Sequence, residues 1–445
     1  MKTIKRLSAI LISFSIILGL FAGCNKKTQT TVRFLNFKPE IASKYNEIAK
    51  EYEKETGIKI VIETAAEGTY ESQLAAKMST NEAPTIFQIN GPVGYTNWKD
   101  YCADLSKTEL YSHLTDKSLA VSTSDGVWGI PYVVEGYGII YNDAIMQKYF
   151  KLENKGTEVT SMEQINNFAT LKAVAEDMQK NKDALGIDGT FAATSLKSGD
   201  DWRWQTHLAN VPIYYEFNNN KVDLTSDAVK KIDFKYGDNY KNIFDLYINN
   251  STVEPKLLGT KIVDESMAEF ALGKCAMVQN GNWAWGQISD VDGNIVKATD
   301  IKYLPIYTGM DGEEKQGLCI GTENFFCINS KASQEEQKAA ADFLYWLFSS
   351  DKGKDYVTNS LGFIAPFDTF KDNEKPKDPL AQEIIKWMEK DDIKTVPWNF
   401  TLFPSQNFKN DFGAALLQYA QGTKQWSEVN KLVIDEWASE WAAQK

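Results

Sequence analysis

Histidine and cysteine are scarce in this chain of 445 residues, which contains two histidines and five cysteines. There is no CxxC motif and no HExxH motif, and His113 and His207 have no third histidine beside them. A transition-metal site is therefore not expected. Apart from Cys24, the cysteines lie in apolar runs, at Cys102, Cys275, Cys319 and Cys327. Their even number leaves disulfides open, but they lack the density of a disulfide scaffold, and free buried thiols are the favoured interpretation.

Basic residues are also fewer than acidic ones. The chain has 48 lysines and arginines and 60 aspartates and glutamates, which gives a net charge of −12. That charge argues against binding of nucleic acid and against docking of the folded part on an anionic membrane surface. An anionic substrate is disfavoured less strongly. The sequence also lacks an internal repeat and a GxxxxGK[ST] phosphate loop. We predict no cofactor.

The apolar run at residues 7–21 follows the basic segment MKTIKR and is too short for a comfortable membrane span. This pattern is typical of an export signal. The junction LFAGC resembles a bacterial lipobox, which implies that residues 1–23 are a lipoprotein signal peptide and that Cys24 is acylated. Residues 24–31 would then form a flexible polar tether. The mature protein is expected at the extracellular face of the bacterial cytoplasmic membrane.

Aromatic residues, in contrast, are abundant, at 12% of the chain, with twelve tryptophans. This number exceeds what most cores use and indicates a surface that stacks on flat ligands. The length predicts two or more domains.

The beginning of the mature chain predicts a parallel sheet. A strand at residues 32–37, a helix at 39–56 and a strand at 58–62 form a βαβ unit. A second helix is predicted at residues 70–78, and another strand at residues 84–89. Lys38 and Asn90 follow two of these strands, at the carboxyl edge where ligands collect. Either residue could instead be an ordinary loop residue.

Glu135 interrupts two extended apolar segments in the run GIPYVVEGYGIIY, residues 129–141. A carboxylate there would be costly if it were dry and unpaired. We expect Glu135 at an opening, a hinge or a cleft. The alternative is an ion pair with a lysine or arginine. From Asn142 onwards the predicted helices are longer, as at residues 227–248, which predicts a second domain. A further amphipathic helix is predicted at residues 333–350, with Ser333 as its cap and Glu336 completing a capping box.

The stretch AMVQNGNWAWG, residues 276–286, places two tryptophans just after a short apolar strand. We interpret Trp283 as a ligand-stacking surface, because an indole offers a flat apolar face to the C–H side of a sugar ring. Trp285 is interpreted as core, and both could be core. Residues 201–204 (DWRW) and 214–215 (YY) also concentrate aromatic rings beside polar groups.

Several stretches together resemble the family 1 extracellular solute-binding proteins of carbohydrate ABC transporters, including the maltose-binding protein. They are KEYEKETGIKIVI, GIPYVVEGYGIIYN, AMVQNGNWAWGQI, ENFFCINSKASQEEQKAAADFLYWLFSSDKG and LGFIAP. The resemblance implies an α/β, two-lobed periplasmic-binding-protein-like fold of type II, with two parallel or mixed sheets, flanking helices and hinge strands. Lobe 1 would comprise residues 32–134 and 325–367, and lobe 2 residues 135–324 and 368–445.

The same resemblance implies a set of ligand-binding residues. Glu135 resembles a hinge carboxylate that hydrogen-bonds sugar hydroxyls, and Trp283 resembles the stacking tryptophan of the far lobe. The near lobe would contribute polar ligand contacts from Lys38 and Asn90. The far lobe would contribute further aromatic rings from Trp202 and Tyr214. Asn90 replaces the acidic residue of maltose-type proteins, and the near-lobe tryptophan is absent, which argues against maltodextrin as the ligand.

We therefore predict a lipid-anchored, monomeric binding protein that delivers an oligosaccharide to the permease subunits of an ABC importer, and not an enzyme. The alternatives are a binding lipoprotein for a non-sugar solute and a secreted glycoside hydrolase. Hydrolysis would need two carboxylates flanking one bond, and Glu135 has no obvious partner at another strand end.

Overall fold

The computed structural model of the protein describes residues 30–66, 68–224 and 226–443. The predicted signal peptide and the predicted lipidation site at Cys24 lie outside these residues. Within the described residues, no helix is both long and apolar enough to cross a membrane. Strand β1 begins at Thr31, so the last residue assigned to the tether already belongs to the fold.

Two mixed sheets form the framework of the described chain. The first has the strand order β2-β1-β3-β11-β5-β4, and the second β12-β10-β6-β8-β7, with β9 also paired to β6. The strands are β1 (Thr31–Asn36), β2 (Lys59–Thr64), β3 (Ile86–Ile89), β4 (Val121–Thr123), β5 (Gly126–Pro131), β6 (Glu135–Asn142), β7 (Gly189–Phe191), β8 (Cys275–Gly281), β9 (Ile301–Leu304), β10 (Gln316–Gly321), β11 (Phe325–Ile328) and β12 (Lys394–Pro397).

Helices flank both sheets. They are α1 (Ala42–Thr56), α2 (Tyr70–Met78), α3 (Pro92–Trp98), α4 (Glu109–Ser112), α5 (Asp143–Phe150), α6 (Phe168–Lys180), α7 (Lys182–Leu185), α8 (Ala209–Asn219), α9 (Gly237–Asn249), α10 (Val263–Ala271), α11 (Ala284–Ser289), α12 (Gln334–Ser349), α13 (Asp351–Asp355), α14 (Pro379–Met388), α15 (Gln406–Ala420) and α16 (Trp426–Ala443). Within the described ranges, two π-helical segments occur, at Arg203–Leu208 and Tyr356–Ser360.

The predicted βαβ unit is present at the start of the fold. Strands β1 and β2 are parallel, and β1 also pairs in parallel with β3. Helix α1 buries Tyr45 against β1, where its ring meets that of Phe34 edge to face at 5.3 Å between centroids. The carboxyl ends of β1 and β3 therefore meet at the same edge of the sheet, as the sequence predicts.

The chain passes between the two sheets three times. It crosses from β5 to β6 before Glu135 and returns from β10 to β11 through residues 322–324. After α13 it crosses again to α14, which packs on β6, β9 and β10. We call the first sheet with its helices lobe 1 and the second lobe 2.

The last crossing lies later than the predicted boundary after residue 367. The Asp368 carboxylate pairs with His113 Nδ1 at 2.6 Å, and its backbone N–H donates to the carbonyl of His113 at 3.0 Å. Glu374 pairs with Lys354 at 2.9 Å. Both partners belong to lobe 1, so residues 368–374 remain with that lobe. The chain reaches lobe 2 only after Glu374.

One predicted helix, at residues 227–248, is divided in the structure. A 3₁₀ turn at Asp227–Lys230 is followed by Phe234 with a φ of 48°, and α9 begins only at Gly237. Elsewhere the local signals are accurate. Ser333 caps α12, and Glu336 completes the predicted capping box.

Candidate functional site

The first residues of β6 lie between two glycines that are covered by tryptophans. Glu135 is opposite Gly321 of β10, and Tyr137 is opposite Gly281 of β8. A Cβ atom on Gly281 would lie 2.1 Å from the ring of Trp283, and one on Gly321 would lie 2.6 Å from the ring of Trp398. Only glycine lets the two indoles pack this closely over the strands. The sheet therefore presents an aromatic ring on each side of the start of β6.

Lys38 and Glu135 form a buried ion pair between the lobes. Lys38 Nζ lies 2.7 Å from Glu135 Oε1 and 3.7 Å from Glu40 Oε1. The exposed fractions of the two paired side chains are only 7% and 4%. Burial lowers the pKa of Lys38, but the two carboxylates outweigh burial and hold that pKa above its usual value. Glu135 is thus paired with a lysine, which was the alternative to an unpaired carboxylate in a cleft.

Rings around Trp283 form one aromatic cluster in lobe 2. Trp283 lies 5.8 Å from Trp202 and 5.5 Å from His207, measured between ring centroids. His207 stacks on Tyr137 at 4.2 Å with an interplanar angle of 4°. Its ring is also 5.9 Å from that of Trp398. We call Trp202, His207, Trp283, Tyr137 and Trp398 the Trp283 cluster.

The cluster touches the ion pair through Trp283. Lys38 Nζ lies 5.6 Å from the centroid of the Trp283 ring, which is within the range of a cation–π interaction. Trp283 is partly exposed, and it immediately precedes α11. The apolar face of Trp283 therefore lies beside a charged donor from lobe 1, Lys38, and a charged acceptor from lobe 2, Glu135. Such a combination can bind a ligand that has both C–H faces and hydroxyl groups.

The π-helical segment Arg203–Leu208 shapes the inner side of the cluster. It places Arg203 over the ring of Trp202, with Cζ 3.8 Å from the centroid, and buries His207 against Tyr137. Burial, followed by the nearby charge of Arg203, holds the pKa of His207 well below its usual value. His207 is therefore a neutral ring in this site. Segments of π-helix are frequent at functional sites.

The structure does not bring all the predicted ligand residues together. Lys38, Glu135, Trp202 and Trp283 are neighbours. Asn90 lies at the carboxyl end of β3, where its Oδ1 is directed at Gly94 of α3. Tyr214 lies in α8 and packs edge to face on Tyr215 at 5.3 Å.

The remaining tryptophans of the predicted aromatic stretches are structural. Trp204 is 2% exposed, and its Nε1 donates to the carbonyl of Thr194. Trp285 packs against the apolar core between α10, α11 and α14. This location agrees with the interpretation of Trp285 as core.

Neither metal ligands nor disulfides are assembled in the described part of the chain. No group of three histidine, cysteine, aspartate or glutamate side chains there could hold a metal ion. Cys102, Cys275, Cys319 and Cys327 are buried and free, in agreement with the favoured interpretation.

Sequence reasoning missed several residues near the cluster. In the sequence, His207 bears only on the question of a metal site, and nothing local predicts that its ring stacks on Tyr137. Glu323 and Lys409 are far apart in sequence, and Lys409 follows no strand. Their electrostatic interaction depends on the last crossing and on the packing of α15. No local pattern could have predicted that proximity.

Comparison with known proteins places the chain among binding proteins. The profile of the family described as bacterial extracellular solute-binding protein matches residues 47–411. This match covers most of the chain. The family description names a binding protein, which confirms the prediction that the chain is not an enzyme.

Solved structures with the same two-lobed fold include sugar-binding proteins. One, from a study of xylan utilization by Caldanaerobius polysaccharolyticus, is 20% identical with a TM-score of 0.68, and the match covers 91% of this chain and 99% of that chain. A sugar transporter protein of Bacillus licheniformis, in complex with stachyose, is 16% identical with a TM-score of 0.65, covering 92% and 100%. A maltose-bound protein of T. maritima is 16% identical with a TM-score of 0.65, covering 92% and 99%.

These structural matches confirm the predicted α/β fold with two lobes. At such low sequence identity they show the fold alone. Family membership rests on the sequence profile. The chain belongs to the bacterial extracellular solute-binding protein family.

Proposed function

We propose that this protein is a lipid-anchored binding protein that captures an extracellular oligosaccharide between its lobes and delivers it to an ABC importer. It acts as a monomer held at the outer face of the cytoplasmic membrane by acylated Cys24. The permease subunits of the importer are its protein partners. The ligand binds to Lys38, Glu135, Trp202 and Trp283, with Asn90 and Tyr214 at the edges of the cleft.

The position of Trp283 is the observation that carries this proposal. Its ring lies 5.6 Å from Lys38 Nζ, and Lys38 contacts Glu135 at 2.7 Å. A sugar ring has an apolar face for stacking and hydroxyls that both donate and accept hydrogen bonds. The indole of Trp283 can stack on the apolar face, and the Lys38–Glu135 pair can form hydrogen bonds with the hydroxyls.

The relatives support an oligosaccharide over another solute. The Bacillus licheniformis protein is in complex with stachyose, and the T. maritima protein is bound to maltose. The same fold therefore accommodates short sugar chains. The departures at Asn90 and at the missing near-lobe tryptophan argue against maltodextrin for this chain.

Thermal-shift screening of the purified protein against neutral oligosaccharides tests the proposal. Binding to the folded state raises the melting temperature by mass action, because the unfolded chain does not bind. We expect at least one sugar to raise the melting temperature and to be recovered uncleaved. A rise only with peptides or polyamines would favour the alternative of a non-sugar solute.

A further inference from the structure

The crossing from β10 to β11 carries polar groups that neither the sequence analysis nor the aromatic cluster accounts for. We propose that Thr322 and Glu323, in this crossing, bind hydroxyl groups of the oligosaccharide and form a second polar contact region beside Glu135. This inference rests on the proposed function. It assigns two ligand-binding residues to the chain and defines the ligand as a ring with hydroxyls on more than one edge.

The backbone fixes where these two residues lie. Gly321, the last residue of β10, is opposite Glu135 and lies under the ring of Trp398. Thr322 and Glu323 follow directly and lead into β11 of lobe 1. They therefore enter the space between the lobes beside the Lys38–Glu135 pair.

Glu323 lies within electrostatic range of charged groups from both lobes. Its carboxylate interacts electrostatically with Lys409, Glu135 and Lys38, and Lys409 in turn interacts with Glu71 of lobe 1. Burial raises the pKa of Glu323. Among the described residues, however, none makes a hydrogen bond or an ion pair with this carboxylate. A half-buried acceptor remains available for a ligand.

Donors without partners lie in this crossing and in the Trp283 cluster, whose Trp398 covers Gly321 at the start of the crossing. Thr322 Oγ1, Trp283 Nε1 and Trp398 Nε1 are buried and have no hydrogen-bond partner in the described part of the chain. Buried polar groups are rarely left unsatisfied, because each lost hydrogen bond destabilises the fold. Two indole N–H groups offer only donors, and Thr322 offers a donor and an acceptor. Glu323, when ionised, offers only acceptors.

A polyhydroxylated ring matches this set of groups. Each sugar hydroxyl can accept from an indole N–H or a threonine hydroxyl and donate to a carboxylate. A purely apolar ligand would leave all of these groups unsatisfied. The geometry thus points to hydroxyls on the edge of the ring that faces the crossing, in addition to the edge that faces Glu135.

Calorimetric titration of Glu323→Gln and Thr322→Val tests the inference, with the sugar that gives the largest thermal shift for the wild-type protein. Hydrogen bonds to charged groups contribute more than neutral ones, so Glu323→Gln should weaken binding by about tenfold or more. Thr322→Val keeps the shape of the side chain and should weaken binding by roughly threefold to tenfold. Glu314→Gln, an exposed change outside the cleft, serves as the matched control and should bind like wild type.

The melting temperature without ligand separates a binding role from a structural one. Since the Glu323 carboxylate has no direct partner in the described residues, Glu323→Gln should not lower that temperature. If wild type binds a sugar and both variants bind it equally well, the inference is overturned while the proposed function stands. A loss of affinity that appears only with a lower unliganded melting temperature also overturns it. If wild type binds no oligosaccharide, the proposed function and this inference fall together.

Discussion

Lys38 Nζ and Glu135 Oε1 are 2.7 Å apart and join the carboxyl end of β1 in lobe 1 to the first residue of β6 in lobe 2. Both residues were expected to contact ligand, and each is instead the other's partner in the structure. The two roles are compatible, because an ionised carboxylate accepts several hydrogen bonds and a lysine donates three. The pair can therefore orient both groups for a ligand while it joins the two lobes at this point.

Glu135→Gln should destabilise the protein as well as weaken sugar binding. Removing one member of a buried ion pair typically costs about 3–5 kcal/mol, and Glu40, 3.7 Å from Lys38 Nζ, compensates only part of the remaining charge. The double variant Lys38→Met/Glu135→Leu should recover much of the unfolding free energy, since both buried charges of the pair are removed together. It should still bind sugar at least about tenfold more weakly, because both polar contacts are lost.

Denaturant unfolding and calorimetric titration of the single and double variants measure the two effects separately. Lys38→Met alone should resemble Glu135→Gln in stability. Wild-type stability in both single variants would mean that the pair is solvated in solution and that the lobes are apart.

Trp283→Ala should weaken sugar binding by roughly thirtyfold or more. Truncating a central, desolvated tryptophan in an interface typically costs about 2 kcal/mol or more, and that energy corresponds to this factor. Trp285→Ala is the matched control, since Trp285 packs on the core between α10, α11 and α14. It should lower the melting temperature with a smaller effect on affinity. Equal affinity of Trp283→Ala and wild type would place the stacking surface elsewhere in the cluster.

The sequence predicted those parts of the fold that depend on local patterns. The helix α2 has the predicted bounds, and α12 has its predicted cap at Ser333, because hydrophobic spacing and capping residues lie within a few positions of each other. The division of the predicted helix at residues 227–248 was missed, because the positive φ of Phe234 has no local sequence signature such as glycine.

The candidate site was only partly predictable for a related reason. Trp283 and Glu135 stood out because a tryptophan at a strand end and a carboxylate in an apolar run are unusual by themselves. The partner of Glu135 could not be identified, since Lys38 is 97 positions away and any of the basic residues could have served. Likewise, Trp398 reaches the cluster only because Gly321 leaves room for its ring.

Asp378→Asn should make the stability of the protein less sensitive to pH. Asp378 caps α14 by accepting from the backbone N–H of Ala381 at 2.8 Å, and burial raises its pKa to about 7. The folded state then binds more protons than the unfolded state between about pH 4 and pH 7, so this carboxyl makes stability fall as pH rises through that window. Asparagine is an equally good N-cap and does not ionise.

We expect the unfolding free energy of Asp378→Asn, relative to wild type, to increase from pH 4 to pH 8. The increase should not exceed roughly 4 kcal/mol, which corresponds to a shift of about three pKa units. Denaturant unfolding at both pH values measures it. A difference that is independent of pH would show that Asp378 is ionised in the folded protein at both values.

Cys24→Ser should release the protein from the membrane. If LFAGC is a lipobox, acylation of Cys24 provides the anchor, and no described helix is long and apolar enough to span a membrane. Wild type should partition with membranes and incorporate a labelled fatty acid, whereas the variant should incorporate none. Equal recovery of both forms as unlipidated soluble protein would contradict the proposed anchor.

Sugar should shift the protein towards the closed arrangement of the lobes. The proposed ligand contacts come from Lys38 in lobe 1 and from Trp283 in lobe 2, so both sets can form only when the lobes meet. Small-angle scattering should therefore give a smaller radius of gyration for wild type with saturating sugar than without it. Trp283→Ala, at the same sugar concentration, should show little change because most of it remains unliganded. If wild type is equally compact with and without ligand, the Lys38–Glu135 pair already holds the lobes together, and ligand then enters without a change in their separation.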